Sequence, residues 1–248
     1  MRVLELNDPR HRNPLTVRLR AELCRAIEAA RDSAHCRSIV LTGSGGHFCS
    51  GGDIHTMSQD TSANQARMQW VTRLVETIAG SPLPIVAAVE GAAFGAGMGL
   101  ALASDYVVAA EQARFCASFG AMGLGPDGGL SWTLPRVVGL LRARRLLLFG
   151  DVVSAAEAQA MGMVNEVCAA GTAMDIAVER ATALAQRSAS AVAAAKTALH
   201  HASNDLHAAL DRESLAQVGL MAGADFAEGL SAFRAKRRPQ FPTASATT

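Results

Sequence analysis

The sequence has few aromatic residues and almost no net charge, and both shortages narrow what the protein can be. Aromatic side chains make up 4% of the 248 residues, whereas apolar residues make up half of them. A sizeable core can therefore form, mainly from small aliphatic side chains that pack helices and strands closely. The 23 basic and 22 acidic residues give a net charge of +1. This balance offers no electrostatic basis for binding nucleic acid.

Three further signatures are missing from the sequence. No C-x-x-C pair occurs, so we expect reduced thiols and no disulfide framework. The first ten residues, MRVLELNDPR, lack the apolar segment of a secretory signal, and we expect a cytoplasmic protein. No H-E-x-x-H spacing joins the C-terminal histidines, and we expect no metal. The cysteines are Cys24, Cys36, Cys49, Cys116 and Cys168, and the C-terminal histidines are His200, His201 and His207.

The most informative segment is residues 84–105, PIVAAVEGAAFGAGMGLALASD. An apolar run typical of a buried strand leads into four glycines and then into a helix pattern of small residues. A glycine turn lets a ligand approach the backbone, and the first amides of a helix lack internal partners at the positive end of its dipole. Residues 95–99 are therefore a candidate site for stabilising a carbonyl oxygen that gains negative charge.

This segment also fits other interpretations. A membrane span is disfavoured by the four glycines and by Glu90. A dinucleotide-binding fingerprint is excluded, because Leu100 stands where G-x-G-x-x-G requires its third glycine. A tight packing turn without any ligand stays open as an alternative.

Strand and helix patterns alternate over the first part of the chain, which predicts an α/β fold. Thr16 is the expected N-cap of the first helix. A second glycine-rich loop, at residues 43–53, follows a buried strand and precedes a polar segment at 54–66 that we expect to be mobile. We expect strands at 3–6, 38–42, 85–89, 106–109 and 163–167 and later helices at 67–79, 140–149 and 154–160. Only helical patterns follow, so we divide the chain into a core at residues 1–170 and a helical C-terminal region at residues 171–248.

Together these features resemble the crotonase family of acyl-CoA hydratases and isomerases. The matching stretches, in the order of that family, are residues 6–15, 48–54, 91–105, 123–139 and 228–239. The resemblance implies a spiral core of ββα repeats with a C-terminal helical layer that mediates trimerisation, in a homotrimer or homohexamer. It also implies an acyl-CoA thioester as substrate. Coenzyme A is part of that substrate, and we expect no separate cofactor, no nucleic acid and no membrane partner.

The resemblance implies roles for individual residues. The backbone N–H groups of Ser50 and Ala96 are expected to form an oxyanion hole for the thioester carbonyl. A serine nucleophile is disfavoured, because Phe48 stands at the first glycine position of G-x-S-x-G. For Asp53, capping of a local turn is the alternative to ligand contact. The expected contacts to coenzyme A are Arg12, Asn13, the backbone of Gly51, Gly52, Asp53 and Ile54, and Lys236, with a neighbouring subunit as a possible source of the last.

The sequence departs from the family at the positions of its two catalytic glutamates. Gly99 and Phe119 stand there, which argues against efficient water addition. Asp127 occupies a third carboxylate position, which dienoyl-CoA isomerases, dehalogenases and ring-epoxide isomerases of this family keep. Residues 123–136 look most like the last group, the ring-1,2-epoxyphenylacetyl-CoA isomerases. Phe119 and Leu124 are expected to desolvate Asp127 and raise its pKa, which suits a general base. A simple Pro-Asp-Gly turn is the alternative role for Asp127.

The predicted function is therefore isomerisation of an unsaturated or ring-derived acyl-CoA. Asp127 would move a proton while the oxyanion hole stabilises the thioester enolate. We also expect Gly99 to leave a larger acyl cavity than a glutamate would. Two alternatives stay open. One is a weak enoyl-CoA hydratase with Asp127 as its sole acid and base, and the other is an acyl-CoA-binding protein without catalytic activity.

Overall fold

The computed structural model describes residues 1–202 and 205–242. Its strands are β1 (Arg2–Leu6), β2 (Ile39–Gly43), β3 (Ile85–Val89), β4 (Ala92–Phe94), β5 (Tyr106–Ala110), β6 (Arg114–Cys116), β7 (Val153–Ser154) and β8 (Glu166–Cys168). The larger sheet is parallel and five-stranded, in the order β1, β2, β3, β5, β8. A smaller sheet pairs β4 parallel to β6 and β6 antiparallel to β7.

Two helix starts follow the capping pattern of the sequence. The Thr16 side chain accepts a hydrogen bond from the Leu19 N–H at 3.1 Å, which confirms it as the N-cap of α1. Ser154 and Glu157 form a reciprocal capping box at α6. The helices are α1 (Val17–Arg31), α2 (Thr61–Ala79), α3 (Ala96–Ala103), α4 (Leu130–Val138), α5 (Leu140–Phe149), α6 (Ala155–Ala160), α7 (Ala173–Ala185), α8 (Ala189–His200), α9 (Leu206–Met221) and α10 (Ala224–Arg234).

The predicted ββα repeat is present in the chain. In β3–β4–α3 and in β5–β6–α4, the first strand joins the large sheet, the second joins the small sheet and a helix follows. An isolated bridge between Cys49 and Ala93 places the loop after β2 beside β4. The glycine-rich loops therefore meet on the carboxyl-end side of the large sheet.

Some sequence predictions are wrong in their details. Helix α2 begins at Thr61, within the segment expected to be mobile, because the Asp60 carboxylate caps the Ser62 and Ala63 amides. Helix α4 contains Pro135, a residue that normally ends a helix. Strands β4 and β6 are three residues long and carry no periodic signal. The last strand is β8, later than the expected 163–167.

Helix α7 covers one face of the large sheet. Ala173, Ala177 and Ala181 on this helix are fully buried against Val86 and other sheet residues. By packing, α7 thus belongs with the core, although it follows the expected boundary at residue 170. The role of the C-terminal region in trimerisation stays a prediction.

No helix in the described part of the chain is long and apolar enough to cross a membrane.

Candidate active site

The start of α3 provides an unpaired amide in the interior. Gly95 adopts a positive φ of 51°, which glycine tolerates, and this turn begins the helix at Ala96. The Ala96 N–H makes no hydrogen bond within residues 1–202 and 205–242. The ring of Phe119 lies 3.8 Å from the point where a Gly95 side chain would begin. Residues 95–99 thus have the geometry expected of a helix mouth.

Ser50, the other expected oxyanion donor, is already engaged. Its N–H donates to the Arg12 carbonyl at 2.9 Å. Its hydroxyl donates to the His11 carbonyl at 3.2 Å. An amide with a backbone acceptor is not free to stabilise a substrate oxygen, so the contact contradicts the role expected of Ser50.

Gly52, two residues later, provides the free amide that Ser50 lacks. Its N–H has no acceptor in the described part of the protein. Gly51, with φ at 99°, packs so tightly that a Cβ there would lie 2.8 Å from the Phe94 carbonyl and 3.6 Å from the Ala96 nitrogen. The two unpaired amides, of Gly52 and Ala96, therefore belong to loops in direct contact. Hydrogen-bond partners across loops decide which amide is free, and the sequence does not reveal them.

Gly99 allows the loop that carries Asp127 to pack against α3. A Cβ at Gly99 would lie 2.4 Å from the Gly128 carbonyl oxygen. Gly128, with φ at 62°, in turn lies against Ala96: a Cβ there would be 3.3 Å from the Ala96 Cα. The expectation of extra cavity space at Gly99 is wrong, because backbone fills it. Because Gly99 has no side chain, Gly128, the residue after Asp127, packs against the start of α3.

Asp127 is a half-buried carboxylate with an unpaired oxygen. Its Oδ1 is buried and has no hydrogen-bond partner in the described structure. Burial raises the pKa of Asp127, and the positive charge of Arg20 opposes that rise. The raised pKa matches the sequence prediction. A buried oxygen without a donor is costly in a carboxylate that serves only a turn, but it is suited to accepting a proton.

Arg20 is a site residue that the sequence analysis missed. It is 1% exposed, on the buried face of α1, in line with Leu23, Cys24 and Ile27. Its Nε and Nη1 atoms are buried without hydrogen-bond partners. A small cavity of about 10 Å³ separates Arg20 from Ala96 and from other residues of α2, α3 and the Gly128 turn. The available signal was an arginine at helical spacing within an otherwise apolar stripe.

A groove of about 460 Å³ lies beside the free Gly52 amide. Gly52, Asp53 and Ile54, three of the residues expected to contact coenzyme A, line it. The Asp53 carboxylate also accepts from the His55 N–H at 3.2 Å, so the alternative capping role is present. The volume of this groove falls within the range of small-molecule sites. The other lining residues are Asp8, His11, Pro14, Thr16, Ser50 and His55.

The Asn13 side chain has a structural role, which leaves only its backbone for the expected contact to coenzyme A. It is fully buried, with Nδ2 donating to the Ser44 carbonyl at 2.9 Å and the His47 carbonyl at 2.7 Å. Its Oδ1 accepts from the Asp8 N–H at 2.8 Å. A side chain this engaged has no group left for a ligand. Arg12 beside it is exposed, and its expected contact stays a prediction.

Lys236 is not brought together with the other predicted contacts within this chain. It follows α10 with φ at 52°. The tail beyond it, including Phe241, lies near Arg37, which precedes β2. That end of the large sheet is opposite to the loop at residues 50–54. A contact from a neighbouring subunit stays a prediction.

Known proteins match this chain over almost its whole length. The family model described as enoyl-CoA hydratase/isomerase matches residues 1–244. The chain is 42% identical to a Rhodobacter capsulatus protein named probable enoyl-CoA hydratase, over 96% of this chain and 93% of that one. It belongs to the enoyl-CoA hydratase/isomerase family. As expected, the fold is the crotonase fold.

Two further members of the enoyl-CoA hydratase/isomerase family are similar along their full length. A crystal structure of an enoyl-CoA hydratase from Polaromonas sp. JS666 superposes with a TM-score of 0.92 at 38% identity, covering 96% of this chain and 95% of that one. An Escherichia coli 1,2-epoxyphenylacetyl-CoA isomerase is 36% identical over 96% of this chain and 93% of the isomerase. The comparisons thus include both hydratases and an isomerase. They support acyl-CoA chemistry of this family without separating its two reactions.

Proposed function

We propose that this protein is an acyl-CoA isomerase that moves a proton with Asp127. The observation that carries the proposal is the Gly99–Gly128 contact, which packs the Asp127 loop on the start of α3 beside the free Ala96 amide. At the two family positions that carry glutamates in hydratases, this chain has Gly99 and Phe119. Asp127 is then the carboxylate available next to the acyl carbons.

In the proposed reaction, the Gly52 and Ala96 N–H groups donate to the thioester oxygen. The Asp127 carboxylate removes a proton from a carbon conjugated with that carbonyl, and the electron pair moves onto the thioester oxygen as an enolate. Asp127 then returns the proton to another carbon of the conjugated system, so the double bond moves and no atom is gained or lost. Each preorganised amide contributes on the order of 3 kcal/mol to stabilising such an enolate. In an acyl group that carries a ring epoxide, the electron pair of the same enolate would break the C–O bond at the adjacent ring carbon, and the released alkoxide oxygen, still bound to the ring, would take up the proton held by Asp127.

The decisive variant is Asp127→Asn, which keeps the shape and removes the base. We expect turnover of unsaturated acyl-CoA to fall by about 100- to 10,000-fold, with loss of solvent deuterium incorporation at the carbon next to the thioester. Unchanged turnover and exchange in this variant would refute the proposal. Binding of acyl-CoA without turnover by the wild-type protein would favour the non-catalytic alternative.

The pH profile gives a second readout of the same base. Only the ionised carboxylate accepts a proton, so kcat/KM should fall as the pH drops through the pKa of Asp127. Burial raises that pKa, and therefore the acid limb should lie above the ordinary range of aspartate. The limb should disappear in Asp127→Asn. A limb in the ordinary aspartate range would contradict the burial argument.

Hydration is the second candidate, favoured by the name of the 42% identical R. capsulatus relative. Asp127 would then be the sole group to position and deprotonate water. Turnover in ¹⁸O-labelled water separates the two reactions, since a hydratase incorporates the label into its product and an isomerase does not.

A further inference from the structure

Arg20 is a buried charge that opposes the rise in the pKa of Asp127 but has no contact with the substrate in the proposed proton transfer. Transferring a guanidinium from water to the interior is unfavourable unless its N–H groups find acceptors. Two of its nitrogens, Nε and Nη1, have none in the described structure. Burial is also the main reason why its pKa falls to about 10. Such a group indicates an acceptor that arrives with a ligand.

Arg67 provides a contrast within the same protein. It is 9% exposed, and its guanidinium donates to the carbonyls of Asp53 and Thr56 and to the Thr56 hydroxyl. Both arginines are buried in the same region, since the charge of Arg67 lowers the pKa of Arg20. The fold therefore provides hydrogen-bond acceptors for the guanidinium of Arg67 but none for Nε and Nη1 of Arg20 in the described structure.

The open guanidinium faces the proposed reaction centre. Its Nη2 lies 3.9 Å from the point where a Gly52 side chain would begin. It lines the cavity of about 10 Å³ together with Ala96, Leu100 and Gly128. That volume is about what a single water or oxygen atom occupies. The remaining walls are apolar: Leu15, Val71, Leu74 and Val75.

We propose that Arg20 binds an oxygen substituent on the acyl group, so that the preferred substrates are oxygenated acyl-CoA thioesters rather than plain hydrocarbon chains. Resting on the proposed function, this inference names the substrate class of the same site. The guanidinium fork would donate to a hydroxyl, ketone, epoxide or carboxylate oxygen that enters the small cavity beside Leu100 and Gly128. A hydrocarbon chain in that place would leave the charge desolvated and unpaired.

The test measures binding of unreactive ligands, so it does not depend on turnover. Pentanoyl-CoA, 4-oxopentanoyl-CoA and glutaryl-CoA share a five-carbon acyl group and differ in carrying no oxygen, a neutral oxygen or a carboxylate. We expect the wild type to bind at least one oxygenated ligand about tenfold or more tightly than pentanoyl-CoA, as measured by calorimetry. Tighter binding of 4-oxopentanoyl-CoA would indicate that Arg20 prefers a neutral oxygen, and tighter binding of glutaryl-CoA would indicate a carboxylate.

Arg20→Met should bring the binding ratio close to one and raise the melting temperature, because it replaces a buried guanidinium, with two nitrogens unpartnered in the described structure, by an apolar side chain. Arg67→Met is the matched control and should lower the melting temperature while keeping the ratio. Arg20→Lys, which keeps the charge without the fork, should give a reduced ratio and covers the case in which the Met variant fails to fold. The inference is overturned if the wild type shows no preference or if Arg20→Met keeps it. Loss of activity in Asp127→Asn would be unaffected by either result.

Discussion

Replacing Gly99 by alanine tests whether the absence of a side chain at this position determines where the loop that carries Asp127 packs. The new Cβ would lie 2.4 Å from the Gly128 carbonyl oxygen, with two further Gly128 atoms at 3.0 and 3.1 Å. To reach ordinary contact near 3.4 Å, that carbonyl must retreat by about 1 Å. Backbone cannot rotate away as a flexible side chain can, so the turn that carries Asp127 has to move.

The expected magnitude follows from opposing effects. Overpacking a core contact costs about 1–3 kcal/mol. Alanine in place of glycine in a helix stabilises the folded state by up to about 1 kcal/mol. We therefore expect Gly99→Ala to lower the free energy of unfolding by about 1–2 kcal/mol. A displacement of about 1 Å at a reacting group can lower kcat by about 100-fold.

The measurements are urea unfolding and turnover, with Gly219→Ala as the matched control. Gly219 lies in α9, and a Cβ there meets no atom within 4 Å. The control should gain up to about 1 kcal/mol of stability and keep full turnover. If Gly99→Ala behaves like the control, the contact does not position Asp127 and the reasoning fails.

Two further predictions concern the buried Asn13 side chain and the assembly of subunits through the C-terminal helices. Asn13→Ala should cost about 3 kcal/mol in urea unfolding, because it leaves several buried backbone groups unpaired and puts alanine at a φ of 58°; a loss within 0.5 kcal/mol would show that the amide is not a brace. The large apolar side chains exposed on the C-terminal helices, among them Leu215, Val218 and Phe233, should be covered in a homotrimer or homohexamer. Light scattering after size exclusion should then give three or six times the chain mass, and a monomer at micromolar concentration would contradict this expectation.

Most of the element order could be predicted from local pattern. Strands β2, β3 and β5 of the large sheet are mostly buried apolar runs, and the caps at Thr16 and Ser154 are short-range signals. The missed elements lacked such signals: β4 and β6 are too short for periodicity, and Pro135 conceals α4. These elements form because neighbouring chain segments pair and pack with them.

The site was predictable only where a chemical group is tied to a local motif. The helix start at Ala96 follows from the glycine turn, and a raised pKa for Asp127 was expected from its position in the sequence close to Phe119 and Leu124. Gly52, Asn13 and Arg20 could not be assigned in this way. Whether an amide is free, or an arginine unpaired, depends on acceptors that lie tens of residues away in the chain.

The sequence by itself determined the family, the α/β core and the absence of glutamates at positions 99 and 119. The alternation of strand and helix patterns is sufficient for the α/β core, whereas the family follows from the resemblance of residues 48–54, 91–105 and the other matching stretches to the crotonase motifs. The tertiary structure alone decided that backbone fills the space beside Gly99 and that Arg20 lies near Gly52 and Ala96. It also decided that, within the described residues, the Ser50 amide has an acceptor while that of Gly52 has none. The physical reason is that hydrogen bonding and exclusion of volume act between atoms in space, and only the folded chain brings those atoms together.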